Sequence, residues 1–193
     1  MSTPRILAFA GALRAGSFNK KLVAIAAAAA RNAGASVTLI DLRDFPLPIF
    51  DEDDEEAAGL PPNARKLKDL FLAHDALLLS CPEYNSSITA ALKNTIDWVS
   101  RPVPGESPLQ CFDKKVVSLI SASPGALGGL RGLVTVRSIL ANIKCLVLPE
   151  QFALVKSHEA FTPDFSALQD PKQQSAVENI ARRLVEVTAK LHA

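Results

Sequence analysis

The sequence lacks the features that mark a membrane-spanning, secreted or nucleic-acid-binding protein. No apolar run reaches the roughly 20 residues that a transmembrane helix needs, and residues 1–5 lead straight into a strand pattern with no signal peptide. The formal net charge is only +1, which gives no bulk attraction to nucleic acid or to an anionic membrane. The 3 cysteines are widely spaced and odd in number, so they favour a reducing, cytoplasmic compartment over a disulfide framework.

Several chemical signatures are also missing. The dinucleotide fingerprint Gly-x-Gly-x-x-Gly is absent, because Gly11 and Gly16 are too far apart, and no Gly-Lys-Ser/Thr of a nucleotide P-loop follows Gly16. The acidic run at 51–56 lacks the spacing and the glycine of a calcium loop, and we predict no metal site. The histidines are scattered, and we interpret each as structural or solvated: His74, His158 and His192.

What the chain does have is an alternation of short apolar runs with helical patterns. This alternation predicts an α/β fold whose parallel sheet is covered by helices on both faces. We expect five strands in one domain, residues 1–193, with a flavodoxin-like, doubly wound sheet of order 2-1-3-4-5. The predicted strands lie at about 6–10, 36–41, 76–79, 115–121 and 144–148, and the predicted helices include 20–32, 63–73 and 171–192.

Two long segments carry no regular pattern. Residues 45–62 hold four prolines and the acidic run, and we interpret them as a solvated, mobile loop; the alternative is a lid or a partner contact. Residues from about 150 to 169 are also predicted to be irregular. Neither segment is assigned a catalytic role.

The stretch from Ser80 to Trp98 follows the third predicted strand and is the most informative part of the sequence. Pro82 stops the strand, and polar residues follow it at the strand's carboxyl end. Ser86 and Ser87 are predicted to cap a helix that follows. Open α/β sheets bind their ligands at this edge, so the stretch predicts a binding site.

The loop after the first strand suits a phosphate monoester. Gly11 and Gly16 allow backbone amides to approach an anion closely. Ser17 and Asn19 stand at the start of a helix, where unpaired amides and the helix dipole favour negative charge. Arg14 adds a permanent charge with a forked donor set. Each residue also has an ordinary interpretation, as a helix cap or a solvated side chain.

Two further loops reach the same predicted crevice. Residues 82–85 suit a flat heteroaromatic ring, because their backbone amides can donate to ring nitrogens and carbonyls and Tyr84 offers a stacking face. The glycine-rich loop 121–129 predicts a close approach to its backbone. The alternatives are an oligomer contact for Tyr84 and Glu83, and a flexible connector for the third loop. The loops after strands one, three and four surround one crevice in a doubly wound sheet.

These motifs resemble those of the NADPH-dependent FMN reductase family, which includes soluble quinone and chromate reductases and azoreductase-like enzymes. The resemblance covers nearly the whole chain, and one departure is Ala12, where the family commonly has Ser. Its first motif, Gly-Ser-x-Arg-x-x-Ser-x-Asn, is matched by Gly11, Arg14, Ser17 and Asn19. Its second motif is matched by 82–85, Ser87, 92–94, Asp97 and Trp98. Its third motif, a glycine-rich loop, is matched by Ser121, Gly125, Gly128 and Gly129.

The resemblance implies an oxidoreductase that binds FMN and uses NADPH or NADH as co-substrate. It implies that the phosphate is held by Arg14, Ser17 and Asn19, and that the ring is bordered by Pro82, Glu83, Tyr84, Asn85, Ser121, Ser123, Pro124 and Gly125. It further implies a homodimer or homotetramer whose subunit boundary lies near the flavin, with Asp97 and Arg101 as possible contributors. No catalytic side chain is expected, since the cofactor carries the chemistry.

The implied electron acceptor is a small molecule: a quinone, a free flavin, an azo compound or an oxidised metal species. Two other functions stay open at this point. One is an electron carrier like flavodoxin, although such carriers tend to be strongly acidic and this chain is close to neutral. The other is a non-catalytic flavin sensor, for which the acidic run at 51–56 would serve as a contact surface.

Overall fold

The computed structural model describes residues 3–192 and shows an α/β fold. Helices separate the strands of its main sheet along the chain, as the sequence predicts. The strands are β1 (Arg5–Ala10), β2 (Ser36–Ile40), β3 (Ala76–Ser80), β4 (Glu83–Tyr84), β5 (Ser87–Ile88), β6 (Val116–Ala122) and β7 (Leu146–Leu154). The helices are α1 (Phe18–Asn32), α2 (Glu52–Ala58), α3 (Pro62–Ala73), α4 (Ala90–Val99), α5 (Leu130–Asn142) and α6 (Pro171–Leu191).

Within residues 3–192, the main sheet has five parallel strands in the order β2-β1-β3-β6-β7. Counted along the main sheet's own strands, this is the predicted order 2-1-3-4-5, so the flavodoxin-like prediction is confirmed. Parallel neighbours need crossover connections, and the crossing helices cover both faces of the sheet. All carboxyl ends of these strands therefore meet at one edge.

The central strand β3 shows why both faces are covered. Its side chains alternate between two apolar clusters: Leu78 packs with α1 and α6, whereas Leu77 and Leu79 pack with α3, α4 and α5. Every residue of β3 is buried. A strand that is buried on both faces reads as a continuous apolar run, which is the pattern that the sequence shows at 76–79.

The predicted caps of α4 are wrong, because a hairpin occupies Ser86 and Ser87. Strands β4 and β5 pair in antiparallel fashion, and Asn85 and Ser86 form the two-residue turn between them, with φ of 51° and 68°. Two positive φ values match the turn type whose twist suits a tight hairpin. Helix α4 instead begins after Thr89, whose hydroxyl accepts a hydrogen bond from the backbone N–H of Leu92 at 3.1 Å.

The two segments that were predicted to be irregular contain regular structure. Helix α2 forms within 45–62, and the carboxylate of Asp51 caps it by accepting from the N–H of Asp53. Strand β7 continues to Leu154, because a register shift opposite Val117 and Leu119 lets it pass Pro149 and resume pairing with β6. No helix within residues 3–192 is both long enough and apolar enough to cross a membrane.

Candidate functional site

The loops after β1, β3 and β6 lie side by side at the carboxyl edge of the sheet. The backbone N–H of Gly11 donates to the carbonyl of Ser80 at 2.9 Å, and the N–H of Cys81 donates to the carbonyl of Ile120 at 2.8 Å. The ladder of sheet hydrogen bonds thus continues past the end of β1 and β3. The structure brings together the three segments that the sequence singled out: 11–19, 82–85 and 121–129.

Asn19, in the first turn of α1, ties these strand ends together. Its side-chain oxygen accepts from the hydroxyl of Ser80 at 2.9 Å and from the backbone N–H of Ala122 at 3.0 Å. Its amide nitrogen donates to the carbonyl of Ala122 at 2.8 Å. Asn19 is only 3% exposed, so the carboxamide is committed to these bonds. Any contact of Asn19 with a ligand must therefore use its backbone N–H.

The first loop keeps a set of hydrogen-bond donors unused. Ser17 is the residue before α1, yet its hydroxyl makes no capping bond. The N–H groups in the first turn of a helix have no partner within the helix. Arg14 is exposed, lies 5.9 Å from the ring centroid of Phe18, and makes no ion pair with any residue of 3–192. A free hydroxyl, free amides and a free guanidinium are the donors that a phosphate monoester requires.

The second loop is held by the carboxylate of Glu83, which binds the start of α5. One oxygen accepts from the backbone N–H groups of Arg131 and Gly132 at 3.0 and 3.2 Å. The other accepts from the Arg131 guanidinium at 2.9 and 2.5 Å. Burial pushes the pKa of Glu83 upward, but these hydrogen bonds outweigh burial and hold the pKa below its ordinary value. The carboxylate is thus a brace between two loops, while Tyr84 stays 61% exposed.

The third loop needs its glycines for contacts inside the protein. A Cβ on Gly128, whose φ is 62°, would lie 2.7 Å from the carbonyl carbon of Ala153. A Cβ on Gly129 would lie 2.9 Å from the Cβ of Ser121. The hydroxyl of Ser121 donates to the carbonyl of Gly128 at 2.7 Å. The close approach predicted for this loop is therefore made by the protein's own backbone at Gly128, whereas Gly125 faces more open space.

The thiol of Cys81 follows β3 next to the second loop and has no acid–base role there. Cys81 is completely buried, and burial raises the pKa of its thiol to about 12. The thiol therefore stays protonated at neutral pH and packs as a small apolar group. Within residues 3–192, no group of three or more His, Cys, Asp or Glu residues is arranged to hold a metal ion.

Sequence reasoning missed four residues that build the site. Ser80 and Thr89 hold Asn19 and Gly11 in place, the latter through a 2.6 Å bond from the Thr89 hydroxyl to the Gly11 carbonyl. Arg131 and Gly132 receive Glu83, and the Gly132 Cβ position lies only 3.4 Å from the Cβ of Glu83. Their partners lie 48 to 78 residues away in sequence, so local patterns gave no signal for them.

Comparison with known proteins places the chain in a family. The family model "NADPH-dependent FMN reductase" matches residues 4–159. An NAD(P)H-dependent FMN reductase of Pseudomonas aeruginosa is 33% identical over 171 residues, which is 88% of this chain and 88% of that protein. A quinone reductase of Pseudomonas putida is 35% identical over 144 residues, covering 74% of this chain and 73% of that protein.

A solved structure agrees with these sequence matches. It is that of FerB, a flavoenzyme NAD(P)H:(acceptor) oxidoreductase from Paracoccus denitrificans, which superposes with a TM-score of 0.81 at 27% identity, covering 97% of this chain and 98% of that one. Fold and sequence therefore agree: the chain belongs to the NADPH-dependent FMN reductase family, a family of oxidoreductases that use FMN and NAD(P)H.

Proposed function

We propose that this chain binds FMN at the three adjoining loops and passes electrons from NAD(P)H to a quinone. The observation that carries the proposal is the Asn19 bridge, which joins the first loop to the ends of β3 and β6. The residues proposed to surround the cofactor are Gly11, Arg14, Ser17, Asn19, Pro82, Glu83, Tyr84, Asn85, Ser121, Ser123, Pro124 and Gly125.

The first loop would hold the phosphate end of FMN. Ser17 would donate its hydroxyl, which makes no capping bond, and Asn19 would donate its backbone N–H. Arg14 would add a charge-assisted contact from the solvent side, since no carboxylate within residues 3–192 neutralises it. Ala12, which stands where the family commonly has Ser, is buried and leaves the backbone donors of this loop in place.

The second and third loops would border the flat ring. The turn at Asn85 and Ser86 leaves Tyr84 on an exposed hairpin, and the Glu83 brace fixes that hairpin against α5. When bound, FMN supplies the redox chemistry by accepting hydride from NAD(P)H and releasing electrons to an acceptor. The chain binds the cofactor, orients it and keeps the Cys81 thiol protonated beside it.

A quinone is the acceptor we favour among the candidates. The support is that relatives in Pseudomonas putida and Escherichia coli, 35% and 31% identical to this chain, are named quinone reductases. Free flavin, azo compounds and chromate are the competing acceptors. A steady-state comparison of these four classes, with NADPH in excess, separates them: we expect the highest kcat/KM for a quinone, and a higher value for any other class contradicts this choice.

We also propose that the chain forms a single domain that assembles as a homodimer or homotetramer in the cytoplasm. The support for assembly is the family resemblance, and Ile49 and Val134, which are 86% and 62% exposed, are large apolar side chains that an interface would cover. Asp97 and Arg101 already have partners in their own chain: Asp97 pairs with Lys93, and the Arg101 guanidinium stacks 4.7 Å from the centroid of Phe50. Light scattering of the eluted protein measures the mass of the assembly.

The test of the central proposal is a visible spectrum of the purified protein with FMN, before and after anaerobic NADPH. We expect a flavin spectrum from one FMN per chain and bleaching on addition of NADPH. A protein that binds no FMN under any condition contradicts the proposal. FMN that binds but is never reduced by NADPH or NADH would instead support a flavin sensor.

A further inference from the structure

A cavity opens at the carboxyl edge, between the loop after β1 and the loop after β2. Its volume is about 310 Å³, and its walls are mostly apolar. The parallel sheet places the ends of β1 and β2 side by side, so this cavity lies at the same edge as the proposed flavin site. The lining residues are Leu13, Leu42, Arg43, Phe45, Pro46, Leu47, Ala91, Asn94 and Thr95.

One charged side chain lines this cavity. Arg43 is exposed, and its guanidinium makes no ion pair within the described chain. The nearby Asp41 is already paired with Lys20, whose ammonium lies 2.7 Å from it and also donates to the carbonyl of Leu13. Asp44 lines a neighbouring cavity, together with Lys20 and Asp41, and does not line this one. The Asp41 carboxylate also accepts from the backbone N–H of Arg43 and attracts its guanidinium, but no carboxylate within residues 3–192 forms an ion pair with that guanidinium. The hydrogen-bond donors of the Arg43 side chain therefore remain open to an anion in this cavity.

The other groups around the cavity suit a flat heteroaromatic ring. Phe45, Leu42 and Leu13 supply apolar surface. The backbone N–H and C=O of Leu47 make no hydrogen bond within residues 3–192, and they leave one donor and one acceptor beside the apolar walls. The amide of Asn94 is not available, because it holds the backbone of Phe50 and Pro48.

We infer that this cavity binds the adenosine end of NADPH, with Arg43 as the residue that recognises the 2′-phosphate. The inference rests on the proposed function, because it assumes that FMN occupies the neighbouring loops. NADPH differs from NADH only in this phosphate on the adenosine ribose. In dinucleotide-binding sheets an arginine near that ribose accommodates the 2′-phosphate, and a guanidinium binds phosphate through two parallel hydrogen bonds.

The test is Arg43→Ala, assayed with both co-substrates against the same quinone. We expect the KM for NADPH to rise roughly tenfold or more, because a charge-assisted contact is lost. We expect the KM for NADH and both kcat values to stay within about twofold. The conservative variant Arg43→Lys should recover part of the NADPH preference, because a lysine still carries the charge but cannot bind bidentately.

Arg31→Ala is the matched control. It removes the same kind of side chain from the end of α1, where the guanidinium donates to the carbonyl of Val37 and lies outside the Arg43 cavity. We expect no change in the ratio of the two KM values. An equal rise of the NADPH and NADH constants in Arg43→Ala, or no preference for NADPH in the unaltered protein, overturns the inference.

A binding measurement without turnover gives a second readout. Adenosine 2′,5′-bisphosphate and adenosine 5′-diphosphate are titrated calorimetrically into the FMN-loaded protein. We expect the 2′,5′ compound to bind more tightly, and this advantage to vanish in Arg43→Ala. Equal binding of the two probes by the unaltered protein overturns the inference. An FMN titration of the unaltered protein and of each variant separates the two proposals. Failure of FMN to bind refutes the flavin site. Intact FMN binding with equal affinity for the two adenosine probes refutes only the role of Arg43.

Discussion

The amino and carboxyl edges of the sheet both hold buried polar groups, but they differ in whether the polar groups nearby have partners within the protein. At the amino edge, two lysines are almost completely buried: the Lys68 ammonium binds the carbonyl of Arg101 and the Glu106 carboxylate, and the Lys115 ammonium binds the carbonyl of His74. At the carboxyl edge, Asn19 is equally buried, yet the loop beside it keeps Arg14 and the Ser17 hydroxyl without such partners.

This difference separates a structural polar cluster from a binding site. A buried charge that already has hydrogen-bond or ionic partners within its own chain needs no ligand. The hydrogen-bond donors of Arg14 and Ser17, beside the rigid Asn19 bridge, are arranged to bind a ligand. The comparison therefore predicts that substitutions at the amino edge change stability alone, whereas those at the carboxyl edge change cofactor binding.

The largest effect is expected for Asn19→Ala. It leaves the N–H of Ala122 and the hydroxyl of Ser80 without their shared acceptor, and we expect unfolding free energy to fall by about 2–4 kcal/mol. FMN affinity should fall as well, because no side chain at position 19 then joins the first loop to the ends of β3 and β6. Urea unfolding and FMN titration measure the two effects. Asn32→Ala, at the exposed end of α1, is the control, and equal behaviour of the two variants would refute the bridge.

Arg14→Ala should weaken binding without weakening the fold. The guanidinium has no ion pair with the described part of the chain, so we expect the unfolding free energy to change by less than about 0.5 kcal/mol. Loss of a charge-assisted phosphate contact should weaken FMN binding by about 1.5–3 kcal/mol. Fluorescence titration with FMN and with riboflavin checks the cause, since riboflavin has no phosphate and should bind both proteins alike. Unchanged FMN affinity would mean that Arg14 points away from the cofactor.

Glu83→Gln tests the brace between the hairpin and α5. The amide keeps one acceptor but loses the charge that binds Arg131, and we expect a stability loss of about 1–2 kcal/mol with weaker FMN binding. The native pKa of Glu83 is lowered, so the advantage of the unaltered protein is complete above the ordinary glutamate pKa and disappears as pH falls through the native value. Unfolding of both proteins across acidic pH measures this difference in stability. A difference that does not change with pH would contradict the role given to the Glu83 carboxylate.

The smallest effect on the cofactor is expected for Lys115→Met at the amino edge. Burial lowers the pKa of Lys115, so the native state releases this proton before the unfolded state does, and the unaltered protein should gain stability as pH rises toward the ordinary lysine pKa. Lys115→Met should lack this gain in stability. Unfolding of both proteins at neutral and alkaline pH measures the difference. The FMN affinity of the variant should stay within about twofold, and a larger loss would break the distinction between the two edges.

The sheet was predictable because its signal is local. A strand that is buried on both faces must be apolar along its length, and the runs at 6–10 and 76–79 met that condition without reference to distant residues. Helix α2 was not predictable in the same way, because none of its residues is buried and it has no apolar face to detect. Ser86, Ser87 and Thr89 are all good capping residues, and only the tight hairpin decides that Thr89 begins the helix.

The candidate site was predictable as a set of loops but not as a set of contacts. Glycine, proline and serine marked the loops, since each residue type limits the backbone in its own way. The roles of Asn19 and Glu83 depend on partners 103 and 48 residues away, at Ala122 and Arg131. No local pattern encodes such pairs. Two residues that were expected to border the ligand, Asn19 and Glu83, therefore have side chains that are committed to hydrogen bonds within the protein.

The most direct test of the account is a titration of the isotope-labelled chain with FMN, followed by the backbone amide signals. We predict shifts in all three loops, at 11–19, 82–85 and 121–125, which saturate together at one FMN per chain, and no shift around Lys68 or Lys115. Signals that move in only one loop, or that move at the amino edge instead, would contradict the claim that these loops surround a single cofactor.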